Sequence, residues 1–404
     1  MSKKLSWPLF LCVLLLALAP PAQSEFQAPA KNLSNSALSS LFPKVAQIPA
    51  MGYVFVIWVE TDGTSDYLYF AKSEDSGATW TTPLALVGPG HIRDPWYGNY
   101  INSYAISLAA DNPYLHIVMQ WRANDSEDFE VYYLRSDDRG ETWYSWVKLT
   151  DNTTDSRFPD VAARAGYVHV TYSDAWAGNE EIMYKRIAAN GAGAVAPTRR
   201  LTFSGGMSFL PKVAVSKSGA IVNIVYEDDS SGQFNIFYKH VEDYGAGSYE
   251  TRQLTSGSSF SGNPDIAVST ATDDQYVYIV YEADWPGNRE IIFKRLDNYG
   301  GAGFTTRTVR LSYSSAESRN AAIAFDGIYE TVHIAFQDNW PGNNDVMYRK
   351  FGGYAAGGYS SWRVSYGTGD SINSSVDCKG IWALAVWADN TSGNYEIYFT
   401  HAYY

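Results

Sequence analysis

Apolar and polar residues along this chain alternate in short runs broken by glycine-rich turns, and few stretches sustain the spacing of an amphipathic helix. Tyr167-Val168-His169-Val170-Thr171-Tyr172 has the period of two that a half-buried strand requires. Pro159-Asp160-Val161-Ala162-Ala163 before it forms a short inner strand. Asp174 to Asn179 makes a turn in which Gly178 accepts a positive φ. Glu181-Ile182-Met183-Tyr184-Lys185-Arg186 makes a third strand, and Arg199-Arg200-Leu201-Thr202 an outer one. Inner segments such as Val213-Ala214-Val215 and Ile266-Ala267-Val268 are apolar throughout, as strands covered on both faces are.

This phrase of aromatic, acidic turn, acid and alternating strand recurs seven times. The copies run from Trp58, Trp121, Tyr172, Tyr226, Tyr281, Phe336 and Trp387, at intervals of 51 to 63 residues. A period near fifty built of short strands and turns is that of a propeller blade. The predicted fold is therefore all-β, a seven-bladed β-propeller of four-stranded antiparallel blades. The seventh copy ends at Tyr404 without an outer strand. Lys31-Asn32-Leu33-Ser34, placed before Phe42-Pro43-Lys44-Val45-Ala46, matches Arg200-Leu201-Thr202 placed before Leu210-Pro211-Lys212-Val213-Ala214. An N-terminal strand is thus expected to complete the last blade and close the ring, which removes open sheet edges.

Composition changes the picture in three places. Residues 1–24 have the layout of a secretory signal: Lys3 and Lys4, an apolar run from Leu9 to Ala19, and Ala22-Gln23-Ser24 at the cleavage position. Residues 25–404 are then read as one exported domain, secreted, periplasmic or extracellular, with no later segment apolar enough to span a membrane. Cys12 lies in the leader, leaving Cys378 without a disulfide partner. A net charge of −13 with no basic stripe argues against a nucleic-acid partner.

Two turns after the third strand share one motif, Ser73-Glu74-Asp75-Ser76-Gly77-Ala78-Thr79-Trp80 and Ser136-Asp137-Asp138-Arg139-Gly140-Glu141-Thr142-Trp143. This Ser-x-Asp-x-Gly-x-Thr-Trp pattern resembles the Asp-box, or bacterial neuraminidase repeat, of the sialidase superfamily. The resemblance implies a sialidase-like propeller with ligand bound at the end opposite the boxes. In the last five copies the box gives way to glycine-rich turns such as Tyr244-Gly245-Ala246-Gly247. The early Arg-Ile-Pro motif of sialidases is absent and the predicted blade number differs from theirs, so no catalytic residue is carried over. The box itself reads as turn chemistry: Asp75 and Asp138 accept backbone N–H groups, glycine permits the bend, and Trp80 and Trp143 pack beneath it.

What recurs in every blade is expected to be scaffold, and what is singular is the place to look for a site. Glu130, Glu181, Glu290, Asp345 and Glu396 recur at one position and read as partners of local donors or basic neighbours. The turn acids Asp174, Asp228, Asp284, Asp338 and Asp389 raise the question of calcium, but their spacing is not that of a calcium loop, and no cofactor is expected. Trp176, Trp285 and Trp340 in the same turns either form an exposed rim suited to sugar rings or plug the gaps between blades, and aromatic burial favours the plug. The irregular link between the first two blades carries Arg93, Asp94, Trp96 and Tyr97. Other links carry the pairs Asp155 with Arg157 and Glu317 with Arg319, and Arg122 opens the second inter-strand turn. Long irregular links in compact domains carry function disproportionately. Together these nine residues form the expected ligand-binding set, with guanidinium groups placed to hold a carboxylate or sugar hydroxyls. The competing reading is that each Arg bridges its neighbouring acid.

The sequence thus favours a binding propeller over an enzyme, its ligand a glycan or small anion. A glycoside hydrolase of the exo-sialidase type and a platform for a protein partner are the alternatives. Sequons begin at Asn32, Asn124, Asn152, Asn373 and Asn390.

Overall fold

The computed structural model describes Phe26 and residues 29–48, 51–270, 275–284, 287–301, 304–340, 342–380 and 382–403. The leader segment 1–24 and Trp285 lie outside the described residues. Seven four-stranded antiparallel sheets form the chain, each a meander in chain order except the last. Blade 3 has Ser156–Arg164 innermost, then Tyr167–Asp174, Glu181–Ile187 and a two-residue outer strand, Arg199–Arg200. In blade 7 the outer strand is Lys31–Asn32, which pairs with Phe399 and Tyr398 of the C-terminal strand. Leu33 N–H donates to Ile397 O at 2.7 Å, and the Ser34 hydroxyl donates to Glu396. The ring is closed by its N-terminus, as the unfinished seventh copy requires.

The strand ladders correct the gap-free alignment of the second copy. Residue pairing keeps Trp58, opposite Tyr69, as the equivalent of Tyr172 but makes Met119, not Trp121, its equivalent in blade 2, where the turn after the second strand is longer. The correction lines up Gln120, Glu227, Glu282 and Gln337 at one position of the second strand.

That position has a common task. In six of the seven blades the inner strand carries a bulge with a non-glycine residue at φ between 48° and 58°: Phe42, Phe158, Leu210, Asn263, Asn320 and Asn373. The bulge turns a backbone N–H away from its own ladder, and a buried N–H needs an acceptor. Phe158 N–H donates to Gln120 Oε1 at 2.9 Å and Asn373 N–H to Gln337 Oε1 at 3.1 Å. Asn263 N–H donates to Glu227 Oε2 at 2.7 Å and Asn320 N–H to Glu282 Oε1 at 2.9 Å. Each bond clasps one blade to the next, and a neutral amide suffices for it.

The repeated acids are scaffold of the same kind. Arg200 donates to Glu181 at 2.7 Å, Arg310 to Glu290 at 2.6 Å, and Arg363 to Asp345. Each guanidinium also covers an exposed ring, Phe203, Tyr313 and Tyr366 respectively.

The two Ser-x-Asp-x-Gly-x-Thr-Trp motifs form the expected turns. Asp75 accepts the Thr79 N–H and hydroxyl, each at 2.7 Å, and Trp80 packs edge-on against Phe399 of the neighbouring blade at 4.9 Å. Trp143 packs on Phe70 in the same way at 5.1 Å. Both aspartates are accessible to solvent, as are the N–H groups they hold. Asp75→Ala should cost about 0.5–1 kcal/mol, the lower end for a side chain capping backbone donors, because water can replace it. The Thr79 N–H holds the Asp75 carboxyl down at about 2, below the ordinary 3.8. Its contribution is therefore complete above pH 4 and lost as pH falls through 2. Urea unfolding of wild type and Asp75→Ala should converge over that interval.

Candidate functional site

The link between blades 1 and 2 folds over the end of the central channel, opposite the Asp75 and Asp138 turns. Asn102 ties it together: its Oδ1 accepts Asp94 N–H at 2.8 Å, and its Nδ2 donates to Asp94 O at 3.0 Å and Tyr97 O at 2.7 Å. Tyr104 is buried over the channel, its ring 4.8 Å from Lys212 Nζ. Below it Lys212 pairs with Asp160 at 3.1 Å. Burial, helped by the Lys212 charge, lowers Lys44 to about 7. The link therefore plugs the channel, and ligand access lies beside the plug.

There a cleft of about 400 Å³ opens between the link and blades 4 to 6. Tyr97 and Ile101 of the link form one wall. Phe209, Phe234 and Phe260 form an aromatic floor. Tyr97 meets Phe158 edge-on at 5.3 Å and Phe209 at 5.9 Å, so the wall is fixed by the scaffold.

Four charged side chains line or adjoin this apolar surface. Arg289 lies 3.8 Å over the Phe260 ring and donates to Glu282 Oε2 at 3.1 Å. Arg319 donates to Glu317 Oε2 at 2.7 Å, and its NH1 stands 3.9 Å from Glu282 Oε2. Glu227 uses Oε2 for the interblade clasp, while Oε1 accepts nothing from any described residue. Burial raises the Glu227 carboxyl to about 8, against the Asn263 N–H bond that favours its ionised form. The approach depends on Gly262, where a Cβ would stand 2.3 Å from Glu227 Oε2.

The expected site residues are dispersed around this face. Tyr97 and Arg319 line the cleft, and Glu317 holds Arg319 from its rim. Arg93 lies elsewhere: it donates from Nε to Asp66 at 2.8 Å and from NH2 to Thr61 at 2.6 Å, both within blade 1. Arg157 spans Asp94 at 2.7 Å and Glu180 at 2.8 Å, both buried. Its neighbour Asp155 is farther, at 3.5 Å, and accepts Phe129 N–H instead. The reading that each Arg bridges its adjacent acid thus holds for Arg319, and for Arg157 as the longest of three ion pairs. Arg122 covers Phe129 at 4.5 Å and bonds Asp125, away from the cleft. Trp96 is 89% exposed.

One further expectation changes. Trp176 and Trp340 are 67% and 68% exposed, so they stand out from the face and plug nothing. The turn aspartates are engaged by the protein: Asp174 takes Trp176 N–H and the Ser156 hydroxyl, and Asp338 takes Trp340 N–H and the Ser318 hydroxyl. Among the described residues no three His, Cys, Asp or Glu side chains converge as a metal site. Asn373 is buried, with Nδ2 bonded to Asn99 O.

Glu227, Glu282, Arg289 and the three phenylalanines were not among the residues expected from sequence. A signal for two of them exists: with the second copy aligned from Met119, glutamate stands in blades 4 and 5 where blades 2 and 6 have glutamine.

No protein-family model matches the chain, and no curated protein sequence does. Solved structures do. The polysaccharide lyase Uly1 superposes with a TM-score of 0.55 at 9% identity, over 89% of both chains. The Hadza microbial sialidase Hz136 gives 0.52 at 13% identity, covering 87% of this chain and 76% of its own. The endosialidase of phage phi92 gives 0.52 at 9%, over 94% and 69%. At these identities the likeness establishes a shared, sialidase-like propeller fold. Among the described residues no helix is long and apolar enough to cross a membrane.

Proposed function

We propose that this chain is an exported carbohydrate-binding propeller whose ligand occupies the cleft beside the plug. One observation carries the reading: blades 4 and 5 place glutamate where the scaffold needs only glutamine, and Glu227 lines the aromatic cleft while Glu282 stands behind it against the two arginines that line it. Ionisable groups are costly to bury and are retained where they meet a ligand. An aromatic floor with a few convergent polar groups is the composition of a small-ligand site. Phe209, Phe234 and Phe260 offer faces for sugar rings, Arg289 and Arg319 offer donors to hydroxyls or a carboxylate, and protonated Glu227 can donate as well as accept. The leader-like residues 1–24 support export.

A glycan array probed with the full-length chain tests the reading. Arg289→Ala and Arg319→Ala should each weaken the ligand by about 1.5–3 kcal/mol in calorimetric titration, the range for charged hydrogen bonds. Glu227→Gln should fold normally, since Gln120 and Gln337 perform the same clasp. It should also alter the pH dependence of stability. The folded pKa of Glu227, about 8, is raised above the unfolded value near 4.5, so its burial costs stability increasingly as pH rises between them. The advantage of Glu227→Gln over wild type should grow across that interval and level off above it. Wild-type ligand affinity in both arginine variants would remove the cleft from consideration.

Hydrolysis is the second reading, favoured by a carboxylic acid in the cleft, Glu227, and a second carboxyl group behind the cleft wall, Glu282, set against Arg289 and Arg319. A fluorogenic sialoside assay run beside the array separates it from binding alone.

A further inference from the structure

A second cleft, of about 330 Å³, lies on the flank of blades 2 and 3, and it exists because the repeat is broken there. In blade 4 the outer strand Tyr249–Gln253 covers the third strand, and Thr251 accepts a hydrogen bond from Lys239 Nζ at 2.5 Å. In blade 5 Thr306–Arg310 does the same, with Lys294 Nζ donating to Thr308 at 2.9 Å. The equivalent lysine of blade 3 is Lys185. Its outer strand is cut to Arg199–Arg200, where Pro197 has no N–H with which to extend the ladder. Thr198, which stands where the capping threonine would, lies 3.5 Å from the Tyr172 hydroxyl. Lys185 is left on the floor of the cleft, buried, with no hydrogen bond or ion pair to any described residue. Its ammonium faces the cleft with no partner to offset its partial desolvation, and that desolvation lowers its pKa.

The other charges around it are committed. Asp151 pairs with Lys148 at 2.5 Å, Asp174 with Ser156 and Asn152 at 2.8 and 2.9 Å, and Arg200 with Glu181 at 2.7 Å. The unanswered charge is positive. Beside it stands Trp176, whose backbone is pinned by Asp174 at 2.7 Å in a turn closed by Gly178 at φ 100°, and whose ring is turned to solvent. Blade 6 has the exposed Trp340 too, but the cation at its equivalent position, Arg349, is bonded to the Leu311 and Tyr348 carbonyls. Only in blade 3, among the described residues, do a rigid exposed indole and an uncommitted cation line one cleft.

We infer that this flank cleft is a separate binding site for an acidic sugar, its ring stacked on Trp176 and its anionic group held by Lys185. The two demands select the ligand class: a flat, weakly apolar ring face and a carboxylate or sulfate on the same residue. The volume suits a mono- or disaccharide. The site shares no residue with the cleft beside the plug, so either can exist without the other.

Titration of the full chain with digalacturonate, its methyl ester and galactose 6-sulfate tests the inference, followed by calorimetry and tryptophan fluorescence. At least one of the two anions should bind saturably, and which one does identifies the anionic group. The ester should bind at least tenfold more weakly than digalacturonate if the carboxylate is recognised. Lys185→Met and Trp176→Ala should each weaken the bound anion tenfold or more, while Arg289→Ala and Arg319→Ala leave it unchanged. Lys185→Met keeps the length of the side chain and removes a buried charge, so its melting temperature should equal or exceed that of wild type, which excludes misfolding as the cause. Absence of binding by both anions, wild-type affinity in Lys185→Met or Trp176→Ala, or loss of binding in the arginine variants would each overturn the assignment.

Discussion

Arg157→Ala should lower the unfolding free energy by about 3–5 kcal/mol, the cost of stranding buried carboxylates by removing their shared cation. The guanidinium joins Asp94 of the link to Glu180 of blade 3, at 2.7 and 2.8 Å, and both acids are nearly inaccessible. Burial raises the Glu180 carboxyl above its ordinary range, opposed by the Arg157 charge. Without that charge the raising effect is unopposed. In the variant Glu180 is best accommodated in protonated form, so the deficit should shrink as pH falls toward 5. Denaturant midpoints of wild type and Arg157→Ala at pH 5 and pH 8 check this. A pH-independent difference, or one below about 1 kcal/mol, would show that the bridge does not anchor the plug. The same variant separates scaffold from ligand contact, because Arg157 does not line the cleft to which Arg289 and Arg319 contribute.

How much of this was legible in the sequence depends on whether repetition or its failure carried the information. The blades were legible because each copy solves the same packing problem with the same residue types: apolar inner strands, an aromatic in the second, an acid opening the third. Even the closing strand could be read, from Leu33 and its neighbours. The role of Arg93 could not, because its partner Asp66 lies one residue before the position at which blades 3, 5, 6 and 7 carry their acid. Glu227 and Glu282 were missed for a related reason. A glutamate beside a tyrosine is unremarkable until the bulged inner strand shows that glutamine does the structural work in blades 2 and 6. Phe209, Phe234 and Phe260 come from three different loops or strand starts and share no motif, so only the folded ring brings them to one floor. Trp176 and Trp340 were misjudged by the ordinary preference of indoles for burial. Their turns, capped by Asp174 and Asp338, hold the rings outward instead.

Ring closure makes the other large prediction. A chain lacking residues up to 36 should lose about 3–6 kcal/mol of stability, combining the burial of Leu33, about 1.5–3 kcal/mol, with the cost of leaving Glu396 without its donors. Glu396 accepts from the Ser34 hydroxyl and, at 3.0 Å, from the Ser36 N–H, and Ser36 also bonds Glu60 of blade 1. The deletion therefore loosens the seam between blades 7 and 1 as well as the outer strand. It also bares Glu396–Tyr403 as a sheet edge whose unpaired N–H and C=O groups template pairing with another chain. The truncated protein should thus unfold at lower denaturant and associate in a concentration-dependent way by light scattering. A peptide of residues 25–38 added in trans should reverse both effects, since it restores the strand without the covalent link. A truncated chain that stays monomeric and unfolds with the wild type would show that six blades and an incomplete seventh hold the ring unaided, and that the pairing of Lys31–Asn32 with the C-terminal strand adds nothing measurable.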